Sequence, residues 1–192
     1  MGVEFELKFS ATDCQQKQIR AAFPQSVQLL EMETTYYDTP DRALSNQRIT
    51  LRRRFENGIS VCTVKTPAGN ARGEWDCVCD SIEEAIPELC KLGCTCDLQA
   101  LTKNGVETVC GARFTRQALL LQEADFTAEL ALDAGVLTGS GRSIPLCEVE
   151  LELKDGSPEA LEAYGKAFAA RFGLVPESRS KFRRAMDLAK GE

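Results

Sequence analysis

Six glutamates and six basic side chains in this 192-residue chain stand at alternating positions, mostly between apolar neighbours. Glu4, Glu6 and Lys8 alternate with Val3, Phe5, Leu7 and Phe9, and Glu148, Glu150, Glu152 and Lys154 alternate with Cys147, Val149, Leu151 and Leu153. Between these stretches come Arg52 and Arg54, then Lys65, then Arg72 and Glu74 on one phase. A period of two is that of a β-strand, so each set lies on one face of its strand. Closely spaced carboxylates suit a hard divalent cation, and Arg and Lys suit the oxygens of a polyanion, Arg in a bidentate manner. Taken alone, the opening stretch suits a solvated sheet face equally well. The glutamate ladder is more telling. Three carboxylates on one face at 148, 150 and 152 repel one another unless cations neutralise them, and such an arrangement points to function.

What is missing narrows the chemistry. There is no histidine, which removes Ser-His and Cys-His nucleophilic schemes and any His-ligated metal. Metal ligands in such a chain are carboxylates, which favours Mg²⁺ or Mn²⁺. Nine cysteines are present, but their C-x-C spacings at 77/79 and 94/96 are not those of zinc ribbons. Cys62, Cys77, Cys79 and Cys147 fall in apolar strand phases, where a reduced thiol acts as a small hydrophobe. A net charge of −6 argues against a nucleic-acid coat. No apolar run reaches the length of a membrane span and the charged N-terminus carries no signal-peptide core, so the expected compartment is cytoplasmic, with no membrane partner.

The elements that must position these groups follow from pattern and punctuation. Thr12 and Asp13 cap a helix to about Phe23, stopped by Pro24. A strand covers about 27–38, and Pro40 forces a turn before a short helical piece near Leu44. Residues 48–56 and 59–66 form a hairpin through Asn57-Gly58. Arg53 breaks the apolar phase there and is placed at the outer rim. A strand over 72–79 precedes the capping sequence Ser81–Glu84, whose helix ends near Gly93. A helical turn at 98–101 leads to a strand over 106–115, which residues 116–121 either continue or follow as a separate strand. Strands at 126–132 and 143–154 flank the turn Thr138-Gly139-Ser140-Gly141. Ser157-Pro158 opens a helix to Gly173, and a basic helix covers about 180–190, with Arg183 and Arg184 read as a solvated face. Tyr36 and Trp75 read as packing residues, and Arg113, out of phase with Arg116, as solvated.

Alternation alone leaves two architectures open. One is a sandwich with charged faces in water; the other is a barrel with charges lining its interior and helices covering its apolar outside.

At this point the chain resembles a known family. Glu4-x-Glu6-x-Lys8 matches the signature of the CYTH superfamily, the triphosphate tunnel metalloenzymes. The resemblance runs in order through Tyr37-Asp38-Thr39, Leu51-Arg52-x-Arg54, Thr63-Val64-Lys65, Arg72-x-Glu74-Trp75, Phe114-x-Arg116, Ala131-Leu132-Asp133-x-Gly135, Cys147-Glu148-x-Glu150-Leu151-Glu152-Leu153 and Ser180-Lys181. It spans 1–192 as a single CYTH domain, and the block from Ala131 to Glu152 looks most like bacterial inorganic triphosphatases. The resemblance implies an α+β fold: an eight-stranded antiparallel β-barrel tunnel with a charged interior and helices packed outside. It implies hydrolysis of inorganic triphosphate with Mg²⁺ or Mn²⁺. Lys8, Arg52, Arg54, Lys65, Arg72, Arg116 and Lys181 would bind the triphosphate. Glu4, Glu6, Glu148, Glu150 and Glu152 would hold metal, the last either assisting or only facing the tunnel mouth. Lys8, Glu6 and Glu150 would be catalytic, and Glu74 and Asp133 would orient their basic neighbours. Without histidine, base duty falls to a metal-activated water, a carboxylate or a lysine of shifted pKa. Thiamine triphosphatase, nucleoside triphosphatase, adenylyl cyclase and a non-catalytic polyphosphate-binding module remain alternatives. The helical CHAD domain that often follows in the family is not expected here, and a homodimer stays open.

Overall fold

A computed structural model describes residues 2–3, 5–68 and 71–191, with the side chains of 2, 3, 68, 71 and 72 excepted. The chain runs β1 (Gly2–Val3), β2 (Glu6–Ser10), α1 (Asp13–Ala22), β3 (Gln28–Asp38), α2 (Ala43–Asn46), β4 (Thr50–Glu56), β5 (Ile59–Ala68) and β6 (Ala71–Val78). It continues through α3 (Ile82–Lys91), α4 (Leu98–Leu101), β7 (Glu107–Gln122), β8 (Phe126–Gly139), β9 (Arg142–Gly156), α5 (Pro158–Phe172), β10 (Val175–Pro176) and α6 (Lys181–Lys190). The expected elements are all present. Residues 116–121 continue β7 as one strand, and β8 extends past Asp133 to Gly139.

Punctuation works as the residue types dictate. Thr12, Ser81, Ser157 and Ser180 each accept a hydrogen bond from a backbone N–H in the first turn of the helix they precede. The β4–β5 hairpin turns through Asn57 and Gly58, both at positive φ (49° and 86°), the conformation an Asn-Gly pair adopts with least strain. Gly135 serves closeness instead: a Cβ there would lie 2.2 Å from the Arg113 carbonyl oxygen on β7.

All strand pairs are antiparallel, in the order β1-β6-β5-β4-β3-β7-β8-β9-β2-β10. β1 pairs with β6 (Gly2↔Glu74), whereas β2, three residues on, pairs with β9 at the far side of the order (Glu6↔Glu152). Three Cα–Cα steps span at most about 11 Å. The opening segment therefore straddles the seam between the two edges of the sheet, and the eight long strands β2–β9 curl into a barrel.

The apolar phases face outward and are covered from two sides. α1 and α5 cover β2, β7, β8 and β9, packing Ile19, Leu161 and Phe168 against Leu119, Leu130, Val149 and Leu151. α2, α3 and α4 cover β4, β5 and β6, packing Leu44, Ile86, Leu89 and Leu98 against Leu51, Val64 and Trp75. α6 is placed differently. Its Ala185 and Met186 pack against Ala112, Phe114, Leu137 and Leu146, which share the phase of Arg116, Asp133 and Glu148. This helix thus sits over the inner face at one end of the barrel, a position its basic sequence does not specify. No helix among the described residues is long and apolar enough to cross a membrane.

Candidate active site in the barrel interior

A cavity of about 1050 Å³ occupies the barrel. Each of the eight long strands contributes alternate residues to its wall: Glu6 and Lys8 from β2, Tyr36 from β3, Arg52 and Arg54 from β4, Lys65 from β5, Glu74 from β6, Arg116 from β7, Glu129 from β8, Glu150 and Glu152 from β9. The charges therefore point inward, and the sandwich alternative falls.

The wall has two unlike halves. On the β2–β9–β8 side the register aligns carboxylates in rows, Glu6↔Glu152↔Glu129 and Ser10↔Glu148↔Asp133, with Lys8↔Glu150 between them. Asp133 and Glu148 are fully buried and Glu150 nearly so. Lys181, delivered by the first turn of α6, reaches all three: its Nζ lies 2.7 Å from Asp133 and 2.9 Å from Glu150, and it also contacts Glu148. Arg116 donates Nε and Nη2 to the two oxygens of Asp133, each at 2.8 Å, and bonds Glu150 as well. Arg184 bonds Glu148, so it is part of this network and not a solvated helix face. From α1, buried Gln16 donates to the carbonyls of Asp133 and Glu148, 2.9 Å each, fixing the two strands behind their side chains.

Electrostatics follow from that packing. Burial alone would raise the pKa of Glu150, but Lys181, Arg116 and Lys8 outweigh it and hold the carboxyl well below the ordinary range. Burial would lower Lys181, and Glu150, Asp133 and Glu148 instead hold it above an ordinary lysine. Lys8 behaves alike, raised by Glu6 and Glu150 against its burial. Glu148 goes the other way, pushed up by burial despite Lys181 and Arg184.

The β4–β5–β6 side pairs its charges over longer distances. Glu74 serves two cations, Lys65 at 3.0 Å and Arg52 at 3.4 Å. Arg54 reaches Thr34 at 3.2 Å and Glu56 at 3.4 Å. Burial and then the neighbouring Arg52 pull the Arg54 guanidinium below its usual pKa. The Nε of Arg52 is buried without a hydrogen-bond partner. Asp76, which accepts a hydrogen bond from the Thr63 hydroxyl at 2.6 Å, adds a third carboxylate to this wall beside Glu74 and Glu56.

With this geometry in hand, comparison with known proteins is informative. The sequence pattern defining the CYTH domain matches residues 2–186. The chain belongs to the CYTH domain family. A curated CYTH relative, the inorganic triphosphatase of Haemophilus influenzae, is 26% identical over 162 residues, covering 82% of this chain and 46% of that protein. The chain thus spans about half the length of that relative. Among solved structures, the PH1819 protein of Pyrococcus horikoshii superposes with a TM-score of 0.63 at 23% identity, covering 96% of this chain and 99% of its own. HpAC1 from Hippeastrum, a protein with a dominant triphosphatase activity, superposes with a TM-score of 0.63 at 17% identity, covering 100% and 97%. These structures share the CYTH tunnel fold with this chain.

The residues singled out in the sequence sort as follows. Glu6, Lys8, Arg52, Arg54, Lys65, Glu74, Arg116, Glu150, Glu152 and Lys181 all line the one cavity. Asp133 and Glu148 lie behind that lining, within the Lys181 network. Glu4 and the side chain of Arg72 lie outside the described residues, although the Arg72 backbone pairs with Pro67 in the sheet. Lys181, expected as a phosphate ligand, lines the cavity and has three carboxylates around its Nζ. Glu129, not singled out in the sequence, lines the cavity beside Glu152. Its signal was there, because Glu129, Ala131 and Asp133 share one phase of β8.

The carboxylates fit a divalent cation by donor type, being all oxygen with no histidine. Asp133, Glu148 and Glu150 each offer an oxygen within 4.8 Å of the others, but Lys181 takes that space. Glu6, Glu152 and Glu129 offer further carboxylate oxygens on the cavity wall, each also beside a cation, Lys8 at 2.9 Å, Lys154 at 2.8 Å and Arg116 at 3.6 Å.

Proposed function

We propose that this protein is a divalent-metal-dependent triphosphatase that hydrolyses inorganic triphosphate to pyrophosphate and phosphate inside the barrel. The observation that carries this reading is the two-sided lining of one cavity, with Arg52, Arg54 and Lys65 facing Glu6, Glu150 and Glu152. Such a site takes a linear polyanion along its cationic wall and a cation along its acidic wall. The CYTH membership and the H. influenzae relative support the reaction class.

In this reading Arg52, Arg54, Lys65 and Arg72 bind the phosphoryl oxygens. The Nη1 of Arg116, 3.6 Å from Glu129, adds donors from the opposite side. Glu6, Glu129, Glu150 and Glu152 hold Mg²⁺ or Mn²⁺, with Glu4 joining from the same strand phase. The metal, when bound, supplies charge neutralisation at phosphoryl oxygens and acidifies a coordinated water. Lys8, kept protonated by Glu6 and Glu150, holds its proton at Nζ for the leaving phosphate oxygen. Lys181, Arg116 and Asp133 act through Glu150, fixing its carboxylate.

One observation favours a second reading within the same class. Leu30, Met32, Tyr36 and Phe182 also line the cavity, with the Tyr36 and Phe182 rings 5.1 Å apart. A volume of about 1050 Å³ is that of a site for a drug-sized ligand, so a nucleoside or thiamine triphosphate has an apolar wall to lie against.

Phosphate release from triphosphate, ATP and thiamine triphosphate, each with Mg²⁺ or Mn²⁺ and with chelator, tests both. Turnover of triphosphate that stops with chelator is expected. Tight binding of triphosphate without turnover of any of the three would replace the hydrolase with a binding module, and cyclic AMP from ATP would make it a cyclase.

A further inference from the structure

The structure assigns a modification site outside the barrel interior: we propose that Cys94 and Cys96, packed against the outer apolar cluster, form an oxidisable dithiol that closes to a disulfide by exchange with a small-molecule disulfide such as oxidised glutathione. The two Sγ atoms lie 3.2 Å apart and face each other. A disulfide requires about 2.0 Å between sulfurs and Cα atoms roughly 4.4–6.8 Å apart, a spacing that residues two apart reach in a bend.

That bend is held at both ends. Cys94 follows Gly93 at positive φ (91°), and its N–H donates to the Leu89 carbonyl at 3.3 Å. Cys96 offers its carbonyl to the Leu98 N–H at 2.8 Å, at the start of α4. Between them Thr95 shares a hydrogen bond with Thr66 of β5, 3.0 Å between hydroxyl oxygens. With its flanks and middle fixed, the tripeptide keeps its thiols together, which removes most of the ordering cost of ring closure. Both cysteines are only partly buried. Other thiols of the same apolar cluster are committed elsewhere: Cys62 points at the Cys79 carbonyl and Cys79 donates to that of Ser81.

The chemistry balances without a cofactor. The Cys94 thiolate attacks one sulfur of glutathione disulfide, forming a mixed disulfide and releasing one glutathione thiolate. Cys96 then gives up its proton and attacks the Cys94 sulfur, closing the Cys94–Cys96 bond and releasing the second. Two protein thiols lose two electrons and two protons, and one glutathione disulfide becomes two glutathiones. Burial, and then Cys94 beside it, push the Cys96 thiol up to about 12.

Peptide mapping of the whole protein tests this. After incubation with oxidised glutathione, maleimide quenching and tryptic cleavage at Lys91 and Lys103, peptide 92–103 contains these two cysteines alone. It is expected to lack maleimide and to be two hydrogens lighter than its reduced form, returning to the doubly labelled form after dithiothreitol. Peptide 73–91, which holds Cys77, Cys79 and Cys90, is expected to carry three labels. Cys96→Ser is expected to trap glutathione on Cys94, and Cys94→Ser to leave Cys96 free for maleimide. A doubly labelled peptide 92–103 after oxidation, or either cysteine cross-linked to Cys90, overturns the proposal.

Discussion

The two walls of the barrel are built from the same alternating strand pattern and yet are paired differently. Around Glu150, three buried carboxylates meet Lys181, Arg116 and Arg184, with Lys181 at 2.7 Å and Arg116 at 2.8 Å from Asp133 and Lys181 at 2.9 Å from Glu150. Around Arg54 the pairs are longer: Arg52 and Lys65 share Glu74 at 3.4 and 3.0 Å, and Arg54 reaches Glu56 at 3.4 Å. Burying an unpaired charge is costly, whereas a paired and hydrogen-bonded one is tolerated. The first wall, held by the closer pairs, fixes geometry. The second, held more loosely, is the one we propose an anion lies against.

The hardest blow to this contrast comes from Lys181→Met. Three carboxylates would lose their shared cation, so the unfolding free energy is expected to fall by about 3–5 kcal/mol, read as a lower urea midpoint. An unchanged midpoint would remove the claim that this wall is structural. Arg54→Ala probes the other side. It is expected to weaken triphosphate binding roughly 100-fold, the loss of one or two charged hydrogen bonds, while the urea midpoint stays level or rises as repulsion with Arg52 disappears. A large loss of stability with normal binding would invert the comparison.

Glu6→Gln sharpens it further. The Glu6 side chain is one-third exposed, so the fold should persist while the Mg²⁺ concentration for half-maximal phosphate release rises at least roughly 10-fold. Glu150→Gln is a poorer probe of metal, because it also strips a partner from Lys181, Arg116 and Lys8. The smallest effect is on acid stability. Glu150 has its folded pKa depressed, so its stabilisation is present above the unfolded value, roughly 4.3, and is lost as pH falls through the folded one. The urea midpoint should decline below about pH 4, less steeply in Glu150→Gln.

The sequence carried the strands and the phases well, because period two with Asn-Gly, Pro and Ser punctuation is a local property. It carried the inward direction of the charges only through the resemblance, since a sandwich and a barrel share that period. Pairings were out of its reach. Nothing local says that Lys181 ends among Asp133, Glu148 and Glu150, because that depends on α6 turning back over the barrel's inner face. Arg184 was read as solvated for the same reason. Glu129 was legible from its phase with Asp133, yet one glutamate among Phe126, Ala128 and Leu130 made a weaker signal than the ladder at 148–152. The strand expected to end at 132 runs on to Gly139 through Gly135, an interior strand residue admitted where β7 comes too close for any side chain.

The seam spanned by β1 and β2 bears on the order of events during synthesis. Glu6 pairs with Glu152 and Gly2 with Glu74, so this segment finds its second partner only after some 146 further residues have emerged. Until then β9 does not exist and the barrel stands open along one edge. Contacts of such sequence separation slow folding and leave strand edges exposed meanwhile. Closure of the tunnel, and with it any capacity to hold a ligand, is thus a late and cooperative step that no shorter nascent chain can anticipate.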